Sequence, residues 1–339
     1  TKTSATCEHL CLIEDTKSFL CNSTTYVDDC ILIGDTQKRL NDLVTSLHDG
    51  HENFALQDEG SIDKYLEVDI AKIDGNAFQL TQPFLIERIT QLLGIDQGRT
   101  NDKLTPVGKP LLNKDLDGVP RKYEWEYCAA IGMLTYLTGS VRPDIAMAVH
   151  QCARFSVSPM RSHEQAVMRI GRYLLLTRDK GMTYKPDRSK GLEVYVDADF
   201  AGGWDPADPG NADNVYSRTG FVIRYASCPI FWQSKLQTEI ALSTAEAEYI
   251  ALSQALRETI PVMNLMKEIN VIFPLYIPQP KFVIKVREDN QSCIAMANNP
   301  KFSPRTKHIA IKYHHFRKHV ITQSNPSGFI SIDYCSTDD

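Results

Sequence analysis

The sequence lacks the features that mark membrane-inserted and secreted proteins. No stretch approaches the roughly 18 consecutive apolar residues of a membrane-spanning helix, and no charged-then-apolar segment opens the chain. Internal repeats and low-complexity tracts are also missing. We therefore expect no membrane contact. Because the chain begins with Thr1 instead of Met, we expect a piece of a longer protein.

Paired cysteines are missing too. The nine cysteines are scattered singly, with no Cys-x-x-Cys pair and no Cys/His spacing of a zinc site. This distribution predicts free thiols in a reducing compartment.

Strong net charge is also absent. A net charge of −5 over 339 residues argues against a simple nucleic-acid coat protein, and 42% hydrophobic residues indicate a globular chain of two or three domains. However, residues 281–320 hold nine Lys or Arg against two acids, Glu288 and Asp289. Such a tract can follow a phosphate backbone or form a solvated helix face, and the charge pattern leaves both open.

Three segments differ in their patterns and together predict an α/β fold. Residues 1–97 mix strands and helices, and residues 98–188 are helical after a polar connector. In the second segment, residues 162–165 form a capping-box pattern that predicts a helix starting at Ser162. Residues 189–339 alternate strands and helices, which predicts a mixed sheet covered by helices. The strands are predicted at 192–200, 219–237 (a hairpin), 282–288 and 328–334, and the helices at 244–269, 291–298 and 312–322.

Glu248 is the first candidate site residue. On the predicted helix 244–269, Glu246, Ser253 and Arg257 cluster on one side, which we expect to face solvent. Glu248 lies on the apolar side. Glu246 also completes a capping-box pattern that starts at Ser243. A carboxylate on a buried face needs a cation, so Glu248 either binds a metal or forms a buried salt bridge.

Asp197 and Asp289 are the other two candidates. Asp197 shares one face of the predicted strand 192–200 with Asp199. Asp289 follows the predicted strand 282–288, at a strand end where ligand sites collect in α/β sheets. Its alternative role is the N-cap of the next helix. Three converging carboxylates favour Mg²⁺ or Mn²⁺ over zinc, and two such ions can hydrolyse a phosphodiester.

Five short motifs follow one another in a fixed order, at 195–202, 217–220, 243–252, 289–292 and 305–309. This succession resembles the ribonuclease H domain of copia-type retrotransposon Pol polyproteins. Residues 142–146 (Arg-Pro-Asp-Ile-Ala) resemble the upstream connector of that family, and residues 26–29 (Tyr-Val-Asp-Asp) resemble its reverse transcriptase palm motif. The likeness covers nearly the whole chain.

The resemblance implies a fold and two metal sites. Residues 1–97 would be a remnant of the α+β palm, 98–188 a helical thumb or connection segment, and 189–339 a ribonuclease H-like mixed β-sheet flanked by helices. Each site would hold two Mg²⁺ or Mn²⁺ ions. The catalytic, metal-binding residues would be Asp197, Glu248 and Asp289 in the ribonuclease H domain and Asp28 and Asp29 in the palm.

The same resemblance implies partners and a location. The partners would be an RNA–DNA hybrid, template–primer nucleic acid and other parts of the Pol polyprotein. The location would be the cytoplasm, in virus-like particles, and the nucleus. In this family the basic tract lies near the hybrid, so nucleic-acid contacts are expected from Arg305, Lys307, His308, Lys312, Arg317 and Lys318.

The sequence also departs from this family. Residues 22–25 (Asn-Ser-Thr-Thr) are polar where the family is apolar, and Glu67 stands where the family has Gly. The fingers and the first palm Asp would precede Thr1, and the helix with a fourth ribonuclease H Asp would follow Asp339. We therefore expect an incomplete, inactive polymerase. Two hypotheses remain: a hydrolase fragment, or a non-catalytic nucleic-acid-binding remnant of a decayed element.

Overall fold

The computed structural model confirms the α/β fold class. It describes residues 2–3, 10–15, 19–26, 29–34, 36–48, 60, 62–95, 105–108, 111–204, 214–272, 282–299, 309 and 311–336. Among the described helices, none has both the length and the apolar character required to cross a membrane.

The N-terminal sheet is an antiparallel meander of four strands in the order β1–β2–β3–β4. Helix α1, Gln37–His48, lies against β3 and β4. The polar residues 22–25 belong to β3 and pair with β4, so their polarity does not prevent strand pairing. The strands are β1, Lys2–Thr3; β2, Leu10–Asp15; β3, Phe19–Tyr26; and β4, Asp29–Gly34.

A helical unit follows, with a small antiparallel sheet in the order β5–β6–β7–β8. One hydrophobic core joins α2 to α3, α4 and α5, so it spans the predicted boundary at residue 97. That boundary and the one at 188 stay predictions. The strands are β5, Lys64–Tyr65; β6, Val68–Lys72; β7, Phe78–Thr81; and β8, Met182–Tyr184. The helices are α2, Pro83–Leu92; α3, Tyr127–Ser140; α4, Ala146–Ala153; and α5, Arg161–Leu176, with a 3-10 turn at Pro143–Ile145.

The predicted start of α5 at a Ser162 capping box is wrong. The helix begins at Arg161, and the Nδ1 atom of His163 accepts the backbone N–H of Met160 at 2.8 Å. Ser162 instead donates its hydroxyl to Asp115, 2.5 Å away. A distant carboxylate therefore binds the hydroxyl that the local pattern assigned to the helix cap.

The C-terminal sheet has five strands in the order β11–β10–β9–β12–β13. Strands β9, β10 and β11 are antiparallel, whereas β12 runs parallel to both β9 and β13. Helix α6 packs across β9 and β10, so the hydrophobic core lies between helix and sheet. The elements are β9, Leu192–Asp199; β10, Arg218–Tyr225; β11, Cys228–Leu236; α6, Thr244–Ile272; β12, Ile284–Glu288; α7, Gln291–Asn298; and β13, Ile330–Tyr334.

The predicted helix at 312–322 is also wrong. Two 3-10 turns, Ile311–His314 and Arg317–His319, take its place. The chain then extends, because Ile321 donates its N–H to Ile330 and His319 accepts the N–H of Phe329, both at 2.8 Å. Pairing with the segment before β13 therefore replaces the helical hydrogen bonds.

Candidate metal centre

Asp197 reaches the site from the end of β9. The strand alternates as the sequence predicts: Leu192, Val194 and Val196 are buried against α6, whereas Asp197 is exposed. Partial desolvation and the negative charge of Asp289 raise the pKa of the Asp197 carboxyl above its usual value. The contribution of Asp289 to this shift indicates that a second acid lies close by.

Glu248 reaches the same point from the first turns of α6. Glu248 is 6% exposed, and its Oε2 atom has no hydrogen-bond partner among the described residues. No Lys or Arg among the described residues forms an ion pair with Glu248. A buried salt bridge within the described residues is therefore excluded. Burial, followed by the charges of Glu288 and Asp197, raises the pKa of Glu248 to about 8.

Asp289 follows β12 directly and is not the N-cap of α7. Asn290 is the cap, since its side chain accepts the N–H of Cys293 at 3.0 Å. The N-cap alternative for Asp289 is therefore wrong. The parallel pairing of β9 and β12 brings the ends of both strands to one edge of the sheet, and this places Asp289 beside Asp197.

Each of the three residues offers one carboxylate oxygen, and these atoms all lie within 4.8 Å of one another. We call this group the acidic trio. Three oxygen donors at this separation fit a hard divalent cation such as Mg²⁺ or Mn²⁺. The buried Oε2 atom of Glu248 without a partner fits the same reading, because a bound cation would compensate its desolvation.

The sequence analysis missed Glu288 as part of this site. Glu288 is 0% exposed, and its Oε2 atom has no hydrogen-bond partner among the described residues. Burial, with added negative charge from Asp289 and Asp197, raises its pKa to about 8. A signal was present, because strand alternation puts Glu288 on the same face as the buried Ile284 and Val286.

The predicted solvent-facing side of α6 is only partly confirmed. Arg257 is exposed, but Glu246 is 7% and Ser253 0% exposed. Glu246 accepts the N–H of Leu242 at 2.8 Å while Ser243 accepts the N–H of Glu246 at 3.2 Å, so the cap forms with a shifted partner. Ser253 lies 3.4 Å from the Nδ1 atom of His315, which covers a second side of the helix.

The other predicted site residues are less completely described. Asp28 lies outside the described residues, and for Asp29 only the backbone, at the start of β4, is described. Arg305, Lys307 and His308 also lie outside the described residues. In the described part of the basic tract, Lys312 forms an ion pair with Glu239, Arg317 is half-buried and Lys318 is exposed.

Comparison with known proteins gives one consistent result over nearly the full chain. The chain is 31% identical over 312 residues (88% of this chain) to "Retrovirus-related Pol polyprotein from transposon TNT 1-94" of Nicotiana tabacum. It is 27% identical over 314 residues (93% of this chain) to "Retrovirus-related Pol polyprotein from transposon RE1" of Arabidopsis thaliana. The chain belongs to the Pol polyproteins of copia-type retrotransposons.

The extent of these matches differs between relatives. This Pol chain spans about a fifth of the length of the two plant polyproteins, 21% and 20%. A further match is 34% identical over 134 residues to "Secreted RxLR effector protein 161" of Plasmopara viticola. This match covers 89% of that protein but 40% of this chain, so it supports fewer conclusions about the full length of this chain. No protein-family model matches the chain.

Proposed function

We propose that this chain is the reverse transcriptase and ribonuclease H part of its polyprotein, and that it hydrolyses the RNA strand of RNA–DNA hybrids. The observation that supports this most is the acidic trio, in which two parallel strands and one helix bring three carboxylates to one edge of a mixed sheet. Membership of the retrotransposon Pol polyproteins supports the same function.

Asp197, Glu248 and Asp289 would hold the metal ions of this reaction. Two bound Mg²⁺ or Mn²⁺ ions would supply an activated water and stabilise the leaving oxygen of the phosphodiester. The residues' own task is to present ionised oxygens in a fixed arrangement. For Glu248 this requires loss of the proton that burial and neighbouring acids retain up to a pH of about 8.

Local packing holds Glu248 in place for this task. The residues on both sides of it, Ala247 and Tyr249, are buried in the core between α6 and the sheet. The hydroxyl of Tyr249 lies 2.8 Å from the Nδ1 atom of His314, which ties α6 to the first 3-10 turn of the basic tract. The helix position is therefore fixed independently of the metal.

The nucleic-acid partner follows from the same proposal. Proteins recognise A-like duplexes mainly through backbone shape and 2′-hydroxyls. Lys312 lies on the 3-10 turn that contacts α6, and Arg317 and Lys318 lie on the next 3-10 turn. We assign these three residues, together with Arg305, Lys307 and His308, to contacts with the hybrid. Asp28 and Asp29 we assign to the palm of the polymerase, which works on template and primer, in virus-like particles of the cytoplasm and in the nucleus.

The deciding experiment compares Glu248→Gln with Glu246→Gln. We expect Mn²⁺- or Mg²⁺-dependent cleavage of the RNA strand of a labelled hybrid by the parent chain, and its loss in Glu248→Gln. Glu246→Gln should retain cleavage, because a glutamine oxygen can still accept the N–H of Leu242. Both carboxylates are buried on the same helix, so the two variants perturb the fold in a similar way.

Circular dichroism and thermal melting would show that both variants are folded. Equal cleavage by both variants would contradict the assignment of Glu248. A parent chain that binds hybrid without cleaving it at any cation concentration would support the second hypothesis, a non-catalytic nucleic-acid-binding remnant.

A further inference from the structure

A polar cleft lies between the helical unit and the C-terminal sheet, beyond the acidic trio. We call it the arginine cleft, after Arg154 and Arg218. Its walls include Gln151, Arg154, Asp199, Tyr216 and Arg218.

Arg218, the first residue of β10, is buried with an unused donor. The residue is 6% exposed, and its Nη2 atom has no hydrogen-bond partner among the described residues. Its Nη1 atom donates to the Nδ1 atom of His150 at 3.2 Å and lies 3.5 Å from the hydroxyl of Ser234. No carboxylate of the described residues lies within ion-pair distance. A buried guanidinium without a counter-ion is costly, so an anion in the cleft would stabilise it.

Among the described residues, the other charged groups that face Arg218 give the cleft a net positive charge. Arg154 follows α4 and donates to Gln151 at 3.2 Å. Burial and the charge of Arg154 lower the pKa of Arg218 to about 10, although Asp199 acts in the opposite direction. Burial and the charge of Arg218 lower the pKa of His150 to about 4, so this ring is neutral at pH 7. Two guanidiniums therefore stand against one carboxylate.

The arginine cleft is preformed and close to the acidic trio. Arg218 pairs in register with Asp199, which lies two residues beyond Asp197 on the same strand face. That spacing is roughly 7 Å, close to the separation of successive phosphates along one strand of a duplex. The indole N–H of Trp232 donates to the carbonyl of Thr138 at 2.9 Å and fastens the sheet to α3.

We propose that the arginine cleft binds a backbone phosphate of the nucleic acid whose neighbouring phosphodiester lies at the acidic trio. This inference rests on the proposed function. Arg218 supplies its unused Nη2 donor, and Arg154 supplies a second guanidinium from the helical unit. Because the two arginines belong to different parts of the chain, the phosphate sets the position of the strand relative to both.

The first test measures the salt dependence of hybrid binding. A labelled RNA–DNA hybrid is titrated with the full chain at several KCl concentrations, in a Glu248→Gln background that prevents cleavage. Arg154→Gln and Arg218→Gln should each weaken binding by roughly tenfold, as expected for a charged hydrogen bond. Each should also lower the slope of log Kd against log salt by about 0.9, the contribution of one phosphate.

Arg224→Gln is the matched control, because Arg224 lies on the same strand but donates to the carbonyl of Ser227. It should bind within about twofold of its parent, with an unchanged slope. Arg154→Gln with the parent slope, or an equal loss in Arg224→Gln, would overturn the proposal. The slope separates a lost phosphate contact from a merely loosened fold.

A second test needs no hybrid and no cleavage. Inorganic phosphate is titrated into the full chain while the arginine side-chain N–H signals are followed by NMR. The Arg218 signal should shift, and Arg154→Gln should abolish that shift. If the Arg218 signal of the parent chain does not shift, the arginine cleft does not bind phosphate, even if the protein cleaves hybrids. A shift in a chain that neither binds nor cleaves hybrids supports the cleft and rejects the proposed function.

Discussion

Glu248 on α6 and Glu288 at the end of β12 each bury a carboxylate oxygen that has no hydrogen-bond partner among the described residues. The negative charge of Glu288 raises the pKa of Glu248 more than either Asp197 or Asp289 does. Glu288 therefore adds to the effect of burial on the protonation of Glu248, a residue that we assign to the metal, without being one of the acidic trio.

The first prediction concerns stability without metal. Burial raises the pKa of Glu288 from 4.5 to about 8 in the folded protein. Between these pH values the unfolded chain releases a proton that the folded chain keeps, so the free energy of unfolding falls as pH rises and levels off above about 8. In Glu288→Gln this fall should be smaller by roughly 1 kcal/mol per pH unit. Urea titrations in EDTA at pH 5.5 to 8.5 measure it, and parallel pH profiles for both proteins would refute the assignment.

The second prediction concerns metal affinity. Binding of Mn²⁺ to the acidic trio competes with the proton on Glu248, whose pKa is raised to about 8, so affinity should increase about tenfold per pH unit below that value. Glu288→Gln removes the acid whose ionisation competes most with that of Glu248, so its affinity profile should move to lower pH. Calorimetric or EPR titration with Mn²⁺ checks both expectations. An unshifted profile would show that Glu288 does not act on Glu248.

The sequence predicted much of this site because strand alternation and strand order are local patterns. Asp197 is placed by the alternation of β9, and Asp289 by its position just after a strand. The helical pattern placed Glu248 on the buried face, which is confirmed. The grouping of the three into one site depended on the resemblance and on the parallel pairing of β9 with β12.

The remaining errors come from tertiary contacts that a local pattern does not contain. The sheet covers one side of α6, and the segment with His315 covers a second side, so Ser253 is buried although it lies opposite the apolar face. Ser162 binds Asp115, 47 positions earlier in the chain, instead of capping its own helix. The arginine cleft joins residues from separate segments, so no single window of sequence predicts it.

The third prediction concerns Arg142 in the connector. This residue is 1% exposed and donates two bonds of 2.9 Å to Asp144, with further bonds to the carbonyl and hydroxyl of Thr177. Arg142→Ala removes a buried bidentate partner from Asp144, which keeps its contacts with Tyr173 and Lys180, so it should cost about 3 kcal/mol of unfolding free energy. Arg178→Ala breaks an exposed pair with Glu87 and should cost less than about 1 kcal/mol. Urea denaturation compares them, and equal losses would contradict this reading.

The last prediction concerns the turn between β5 and β6, which contains Glu67. Leu66 and Glu67 form a two-residue hairpin connection with φ of 49° and 62°, a left-handed conformation that suits Gly at such turns. Glu67→Gly relieves a strain of about 1 kcal/mol. It also loses the ion pair with Arg88, which is half exposed and 3.4 Å long and so contributes little. The variant should be more stable by about 0.5–1 kcal/mol in urea denaturation. Glu67→Ala loses the same ion pair but keeps the strained φ, so it should be no more stable than the parent chain. Equal stability of the Gly and Ala variants would show that the backbone conformation at Glu67 is not the source of the effect.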